Sequence, residues 1–78
     1  MKLSITQTLN ILLSIKGVQK KDVGDQLGTS HVNITNIMKR DRIYSDNITK
    51  IAGVCGCDVK ITYIDHNTGE TVFESLIK

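Results

Sequence analysis

Two glycines four residues apart, Gly24 and Gly28, constrain the fold of this chain more than any other sequence feature. A residue without a side chain at the first position lets one helix meet the next closely, and glycine at the second allows the left-handed backbone of a tight turn. Apolar residues stand where two such helices would be held together: Val23, Leu27, Ile34 and Ile37. The segment Lys20–Lys39 therefore predicts two short helices that cross steeply around a turn.

Hydrophobic periodicity and capping residues predict four helices in all. They are Ile5–Lys16, Lys20–Leu27, His31 to about Lys39, and Asp46 to about Cys55. Serine precedes three of them as an N-cap, and glycine follows three of them, at positions where each residue type satisfies the unpaired backbone groups of a helix end. The inward side of the fourth helix is predicted to be Ile48, Ile51, Ala52 and Cys55.

The apolar period changes from 3.6 to 2 after Gly56, which predicts a β-hairpin. Asn67-Thr68-Gly69 is a turn signal, interpreted as a type I turn with Gly69 in the left-handed region forming a bulge. Closing the loop with His66 facing Glu70 gives three pairings on one largely apolar face: Tyr63 with Phe73, Ile61 with Ser75, and Val59 with Ile77. The predicted fold class is mainly α with a C-terminal β-hairpin (α+β). Residues 1–56 form the helical core and residues 57–78 the hairpin of a single domain.

Charge is distributed unevenly along the chain. Residues 1–43 carry seven basic and three acidic side chains, whereas residues 44–78 carry three basic and five acidic ones. A basic half joined to an acidic half indicates a polyanionic partner on one side, with chance scatter in a short chain as the alternative. The core must be built mainly from Ile and Leu, because only three residues are aromatic. A small aliphatic core of this kind is marginal alone and favours oligomerisation.

Several other classes of protein are not indicated. Cys55 and Cys57 are too close for a framework disulfide and lie far from both histidines, so we expect a buried thiol at Cys55 and no metal site. We find no nucleophile–base pair and no phosphate-binding glycine loop, and we expect no enzyme activity, cofactor or small-molecule ligand. No signal peptide or membrane span fits the sequence, and the expected compartment is the cytoplasm.

Residues 17–56 resemble the phage-repressor and Cro family, the Xre-like group, whose core has four or five helices. The resemblance is carried by Lys16-Gly17-Val18, Val23-Gly24, Leu27-Gly28-Thr29-Ser30, and Ile51-Ala52 through Cys55-Gly56. Two residues depart from the family pattern: Gln19 stands where Ser or Thr usually caps the second helix, and Gly24 where Ala is usual. A glycine inside a helix costs roughly 0.5–1 kcal/mol relative to alanine, so we expect the second helix to be weak in isolation.

The resemblance implies a helix-turn-helix whose third helix enters the major groove of double-stranded DNA. The implied base contacts are His31, Val32, Asn33 and Asn36, and the implied phosphate contacts are Lys20, Lys21, Ser30, Lys39, Arg40 and Arg42. The chemistry is suitable, since an asparagine amide pairs bidentately with adenine and a valine can contact the thymine methyl. Simpler interpretations stay open: an exposed valine, a solvated histidine or lysine, and an Asn33 that only supports the Ser30 cap.

Apolar residues on both strands make the hairpin a candidate dimerisation element, as C-terminal strands are in Cro-type relatives. The predicted dimerisation residues are Val59, Ile61, Tyr63, Val72, Phe73 and Leu76. A hairpin that merely covers its own helices is the alternative. The predicted function is a sequence-specific DNA-binding transcriptional regulator, a repressor acting as a homodimer. The second hypothesis is an antitoxin or adaptor-type module whose hairpin binds a partner protein.

Overall fold

A computed structural model describes residues 2–39 and 45–77 of the chain. The elements in chain order are α1 (Ile5–Lys16), α2 (Lys20–Leu27), α3 (His31–Lys39), α4 (Ser45–Val54), β1 (Val59–Ile64) and β2 (Thr71–Ile77). The predicted fold of four helices followed by an antiparallel hairpin is confirmed. The first three helices have their predicted bounds, whereas α4 begins and ends one residue earlier than expected.

Local hydrogen bonds explain why the helices begin and end where they do. Before α1, the Ser4 hydroxyl accepts from the Gln7 backbone N–H at 3.1 Å, and the Gln7 side-chain oxygen accepts from the Ser4 N–H at 2.8 Å. This reciprocal capping box satisfies two N–H groups that the helix itself cannot pair. At the other end, Gly17 has a φ of 66° and donates its N–H to the carbonyl of Ser14.

The core lies among the four helices and is built from aliphatic side chains. Its buried members are Leu9, Leu13, Val23, Ile34, Met38, Ile51, Ala52 and Cys55. Two predicted members of the helix pair are less buried than expected. Leu27 is 37% exposed, because it is the last residue of α2 and the chain turns away after it. Ile37 is only partly buried, because Met38, four residues after Ile34 on the same stripe of α3, occupies the deeper position.

The hairpin has the predicted register over most of its length. Val59 pairs with Ile77, Ile61 with Ser75, and Tyr63 with Phe73. The register then shifts between Tyr63 and Ile64, which pairs with Thr71. The prediction that His66 faces Glu70 is therefore wrong: the Asp65 N–H donates to the Glu70 carbonyl at 2.8 Å instead.

The shift has a local cause on the second strand. Val72 lies between the paired residues Thr71 and Phe73 and is the additional residue of a β-bulge. In the loop, the Asp65 carboxylate accepts from the N–H groups of Asn67 and Thr68, at 2.8 and 3.1 Å. Gly69 has a φ of 75°, which confirms the left-handed conformation predicted there.

The hairpin extends away from the helices and packs on them only at its base. Val59 and Ile77, at the two strand ends nearest the helices, are partly buried, and every other strand residue is exposed. The molecule is accordingly elongated, measuring 43 Å in one direction and 22 and 21 Å in the others. Within the described residues, no helix is long and apolar enough to cross a bilayer.

Candidate nucleic-acid interface

The junction between α2 and α3 is unusually close at Gly24. The Thr29 N–H donates to the Gly24 carbonyl at 2.8 Å, which ties the turn to the preceding helix. A Cβ atom added to Gly24 would lie 2.9 Å from the Thr29 carbonyl oxygen and 3.2 Å from the Ser30 carbonyl carbon. Glycine therefore has a steric function here. Glycine lowers the helix propensity at this position, but it permits a close backbone contact that any side chain would disturb.

The turn itself requires a second glycine and a capping serine. Gly28 has a φ of 70°, the left-handed conformation in which a side chain is strained. The Ser30 hydroxyl accepts from the Asn33 backbone N–H at 3.0 Å, so the predicted N-cap of α3 is confirmed. These interactions orient α3 relative to α2 and leave one side of α3 in solvent.

All four predicted base-contact residues lie on exposed parts of α3. They are His31, Val32, Asn33 and Asn36. Val32 is 64% exposed, although it is apolar. Asn36 follows Val32 by four residues and Asn33 by three, so these three side chains form one stripe, which Lys39 continues. His31 lies in the first turn, at the edge of the stripe. We call Val32, Asn33, Asn36 and Lys39 the α3 stripe.

Asn33 differs from the other stripe residues because its side chain has a defined partner. Its Nδ2 group donates to the Thr29 hydroxyl oxygen at 2.8 Å. The Ser30 hydroxyl is bonded to the Asn33 backbone and not to its amide. The Asn33 side chain therefore does not support the Ser30 cap directly. Thr29 was absent from the predicted site residues, because this bond depends on side-chain rotamers that the sequence pattern does not encode.

The lysines predicted to contact phosphates lie at helix ends. Lys20 and Lys21 occupy the first turn of α2, and Lys39 is the last residue of α3. In the described segments, 2–39 and 45–77, none of these three forms an ion pair. Two other predicted phosphate contacts, Arg40 and Arg42, lie outside the described residues.

The start of α2 is better capped than its Gln19 suggested. The Asp22 carboxylate accepts from the Gln19 backbone N–H at 3.0 Å, as an acidic residue does in a capping box. Its negative charge in the first turn also interacts favourably with the positive end of the helix dipole, whereas the positive charges of Lys20 and Lys21 interact unfavourably with it. The expected weakness at this helix start is therefore partly offset by Asp22. The Gln-x-x-acid pattern could have revealed this from the sequence.

The hairpin distributes the predicted dimerisation residues over two faces. Because side chains alternate along a strand, the register places most of them on one side. That side, which we call the aromatic face, consists of Val59, Ile61, Tyr63, Phe73, Ser75 and Ile77. Tyr63 and Phe73 are paired across the strands near the loop, and each is 61% exposed.

The opposite face of the hairpin is more polar. Lys60 and Glu74 form an ion pair there at 2.9 Å, and the Thr62 hydroxyl donates to the Glu74 carboxylate at 3.4 Å. Leu76, a predicted dimerisation residue, lies beside this pair and is 56% exposed. Val72 is the residue of the bulge. The six predicted residues consequently cannot all lie in one flat contact.

An apolar groove continues the aromatic face toward the helices. It has a volume of about 250 Å³. Its lining residues come from α1, α4 and the base of the hairpin: Ile5, Thr8, Ile48, Val59, Lys60, Ile61 and Ile77. The groove shares Val59, Ile61 and Ile77 with the aromatic face and also borders Lys60 of the opposite face.

The two cysteines are free thiols. Cys55 is buried in the core, as expected, and burial is the main reason that its pKa is raised, with the neighbouring Cys57 adding to the effect. No group of three or more His, Cys, Asp or Glu side chains that could hold a metal ion occurs among the described residues.

Comparison with protein-family models, with curated proteins and with solved structures gave no match for this chain. The resemblance to the phage-repressor and Cro family therefore rests on the sequence residues alone.

Proposed function

We propose that this protein binds double-stranded DNA sequence-specifically, as a homodimer, and regulates transcription by occupying an operator as a repressor. The observation that carries the proposal is the α3 stripe. It joins an exposed valine, two asparagines and a lysine on the outer side of a helix that is fixed from behind by the close Gly24–Thr29 contact. Asparagine amides and an apolar group are side chains that distinguish base pairs in the major groove.

Positive charge at the edges of this surface supports the same function. Lys20 and Lys21 place two positive side chains at the start of α2, beside the Asp22 carboxylate that caps it, and side chains of this type contact DNA phosphates. Lys39 extends the α3 stripe at its other end. Contacts of this type hold a protein in register on the duplex, and base contacts then supply specificity. In the sequence, Arg40 and Arg42 follow directly.

The second copy is proposed to meet the first through the aromatic face of the hairpin. This face carries no charged residue, so two identical copies can approach without like-charge repulsion. Its exposed aromatic pair, Tyr63 and Phe73, is apolar surface that the two strands of the hairpin do not bury by themselves. For a two-fold dimer to bind half-sites one turn of DNA apart, its two α3 helices must lie about 34 Å apart.

The proposal is tested by selecting DNA fragments with the purified protein and titrating the selected fragments at two salt concentrations. We expect enrichment of a common sequence with approximate two-fold symmetry, and affinity that falls steeply as salt rises. Fragments with no shared sequence, or affinity that is independent of salt, would remove the basis of the proposal.

One observation favours the second candidate function, an antitoxin or adaptor that captures a protein partner. Apolar residues are exposed on both hairpin faces, including Ile64 and Leu76 opposite the aromatic face. A homodimer through the aromatic face leaves this second surface uncovered. Light scattering of the purified protein separates the two candidates. A stable dimer supports the regulator, whereas a monomer that binds no DNA supports the partner-dependent module.

A further inference from the structure

We infer that Thr29 is a positioning residue that holds the Asn33 amide in one orientation for reading an adenine. The inference rests on the proposed DNA-binding function, and it assigns a role to a residue outside the base-contacting set. Three features support it: the restraint on Thr29, the bond from Asn33, and the hydrogen-bonding groups that this bond leaves unused.

Thr29 is restrained before it meets Asn33. Its backbone N–H is bonded to the Gly24 carbonyl at 2.8 Å, and its own carbonyl oxygen lies against the bare Cα of that glycine. Its side chain is partly buried and β-branched, so few χ1 rotamers are available to it. The position of the Thr29 hydroxyl oxygen is therefore restrained by the packing of α2 against the turn.

The Asn33 side-chain amide is held by its hydrogen bond to the Thr29 hydroxyl. Asparagine on the surface of a helix would otherwise sample several rotamers, and ordering it on a ligand would cost conformational entropy. The 2.8 Å bond from Nδ2 to the Thr29 hydroxyl restricts the side chain before any ligand arrives. A preordered amide loses less entropy when it binds, which improves recognition of its matching base.

The remaining groups of the amide fit one base. Asn33 has two N–H donors on Nδ2 and one carbonyl acceptor, and one donor is used by Thr29. The other donor and Oδ1 remain, and these are the two groups that bond to N7 and N6 of adenine. A bidentate contact uses Oδ1 and the N–H cis to it, so the inference requires that the N–H trans to Oδ1 is the one that bonds to Thr29. In that arrangement the pair of groups needed for adenine stays intact, and the orientations in which other bases could be accepted are limited.

The test compares Thr29→Val, which keeps the shape and removes the hydroxyl, with Thr29→Ser, which keeps the hydroxyl. Each variant is titrated against the selected DNA site and against copies of that site with each adenine replaced in turn. For Thr29→Val we expect roughly a 3- to 10-fold loss of discrimination at one adenine position, the size expected for one hydrogen bond. Thr29→Ser should retain most of the discrimination, and affinity for unrelated DNA should be unchanged in both.

A second measurement is independent of DNA. Side-chain amide NMR signals of the free wild-type protein should show a rigid Asn33 Nδ2H₂ group, and Thr29→Val should make it mobile. Wild-type selectivity that is unaltered by Thr29→Val would overturn the inference while leaving the proposed function standing. Absence of any selective binding by the wild type would overturn both, and a mobile Asn33 amide in the wild type would overturn the inference whatever the variants do.

Discussion

At the scale of single residues, Gly24 connects the sequence to the site. The sequence has a glycine where the phage-repressor and Cro family usually has alanine, and helix propensity alone predicts that this glycine lowers the stability of α2. The structure places the Thr29 carbonyl oxygen 2.9 Å from the position of a Cβ. The same residue thus weakens one helix slightly and permits the contact that fixes the start of the next.

Replacing Gly24 by alanine should therefore destabilise the protein in spite of the better helix propensity. Overpacking typically costs about 1–3 kcal/mol and the propensity gain is about 0.5–1 kcal/mol, so we expect a net loss of about 1 kcal/mol in the free energy of unfolding. Urea denaturation measures it. Gly53→Ala is the matched control, because Gly53 lies in α4 with nothing within 4 Å of the added Cβ.

The control should gain about 0.5–1 kcal/mol from propensity alone. A Gly24→Ala variant that is as stable as Gly53→Ala would show that the close approach of α2 to the turn has no energetic consequence.

At the scale of elements, the helix ends could be predicted because their determinants are local. Ser4 with Gln7, Ser30 at the start of α3, and the glycines that end the helices act within a few residues of one another. The strand register over Val59–Tyr63 was also predictable, since the alternation of apolar residues determines it there. The position of the bulge was not, since it was predicted at Gly69 and lies at Val72, and one additional residue changes the loop pairing without changing the alternation on either side.

Burial and side-chain partners were harder to predict for a different reason. The apolar pattern placed Leu27 and Ile37 in the core, but helix length and the position of the turn decide which of several apolar residues is deepest. The outward position of Val32, Asn33 and Asn36 could be predicted from the same periodicity. The Thr29–Asn33 bond depends on side-chain rotamers, and no periodic pattern encodes those.

The ends of α2 and α3 give a prediction about charge. Lys21→Gln and Lys39→Gln should each weaken binding to selected and unrelated DNA by similar factors, because phosphate contacts carry no sequence information. Each should also lower the slope of log K against log salt by roughly one. Lys50→Gln, an exposed lysine on α4, is the control with the same charge change. Equal slopes for all three variants and the wild type would argue against the phosphate-binding role.

At the scale of the whole molecule, the elongated shape contains the two surfaces to which the proposal assigns functions. The helices form a small core with the α3 stripe on its surface, and the hairpin extends from that core with its apolar side chains exposed. A monomer in this form leaves Tyr63 and Phe73 in water. The proposed homodimer would cover this aromatic pair.

The two hairpin faces can be compared directly with one substitution on each. Phe73→Ser should shift the protein toward monomer at micromolar concentration, because it removes an aromatic side chain from the proposed contact. Leu76→Ser removes a similarly exposed apolar side chain from the opposite face, and the dimer should persist. Light scattering after size exclusion measures both. A dimer that survives Phe73→Ser and dissociates with Leu76→Ser would assign the contact to the other face.

The central claim, that the α3 stripe reads DNA sequence, is tested most directly by fluorescence anisotropy of the wild type and Asn36→Ala on the selected site and on a scrambled site. Asn10→Ala, an exposed asparagine of α1, is the matched control. We predict that Asn36→Ala costs about 1–3 kcal/mol on the selected site, as expected for loss of a bidentate base contact, and almost nothing on the scrambled site. Equal losses on both sites, or a wild type that binds both equally well, would contradict the account.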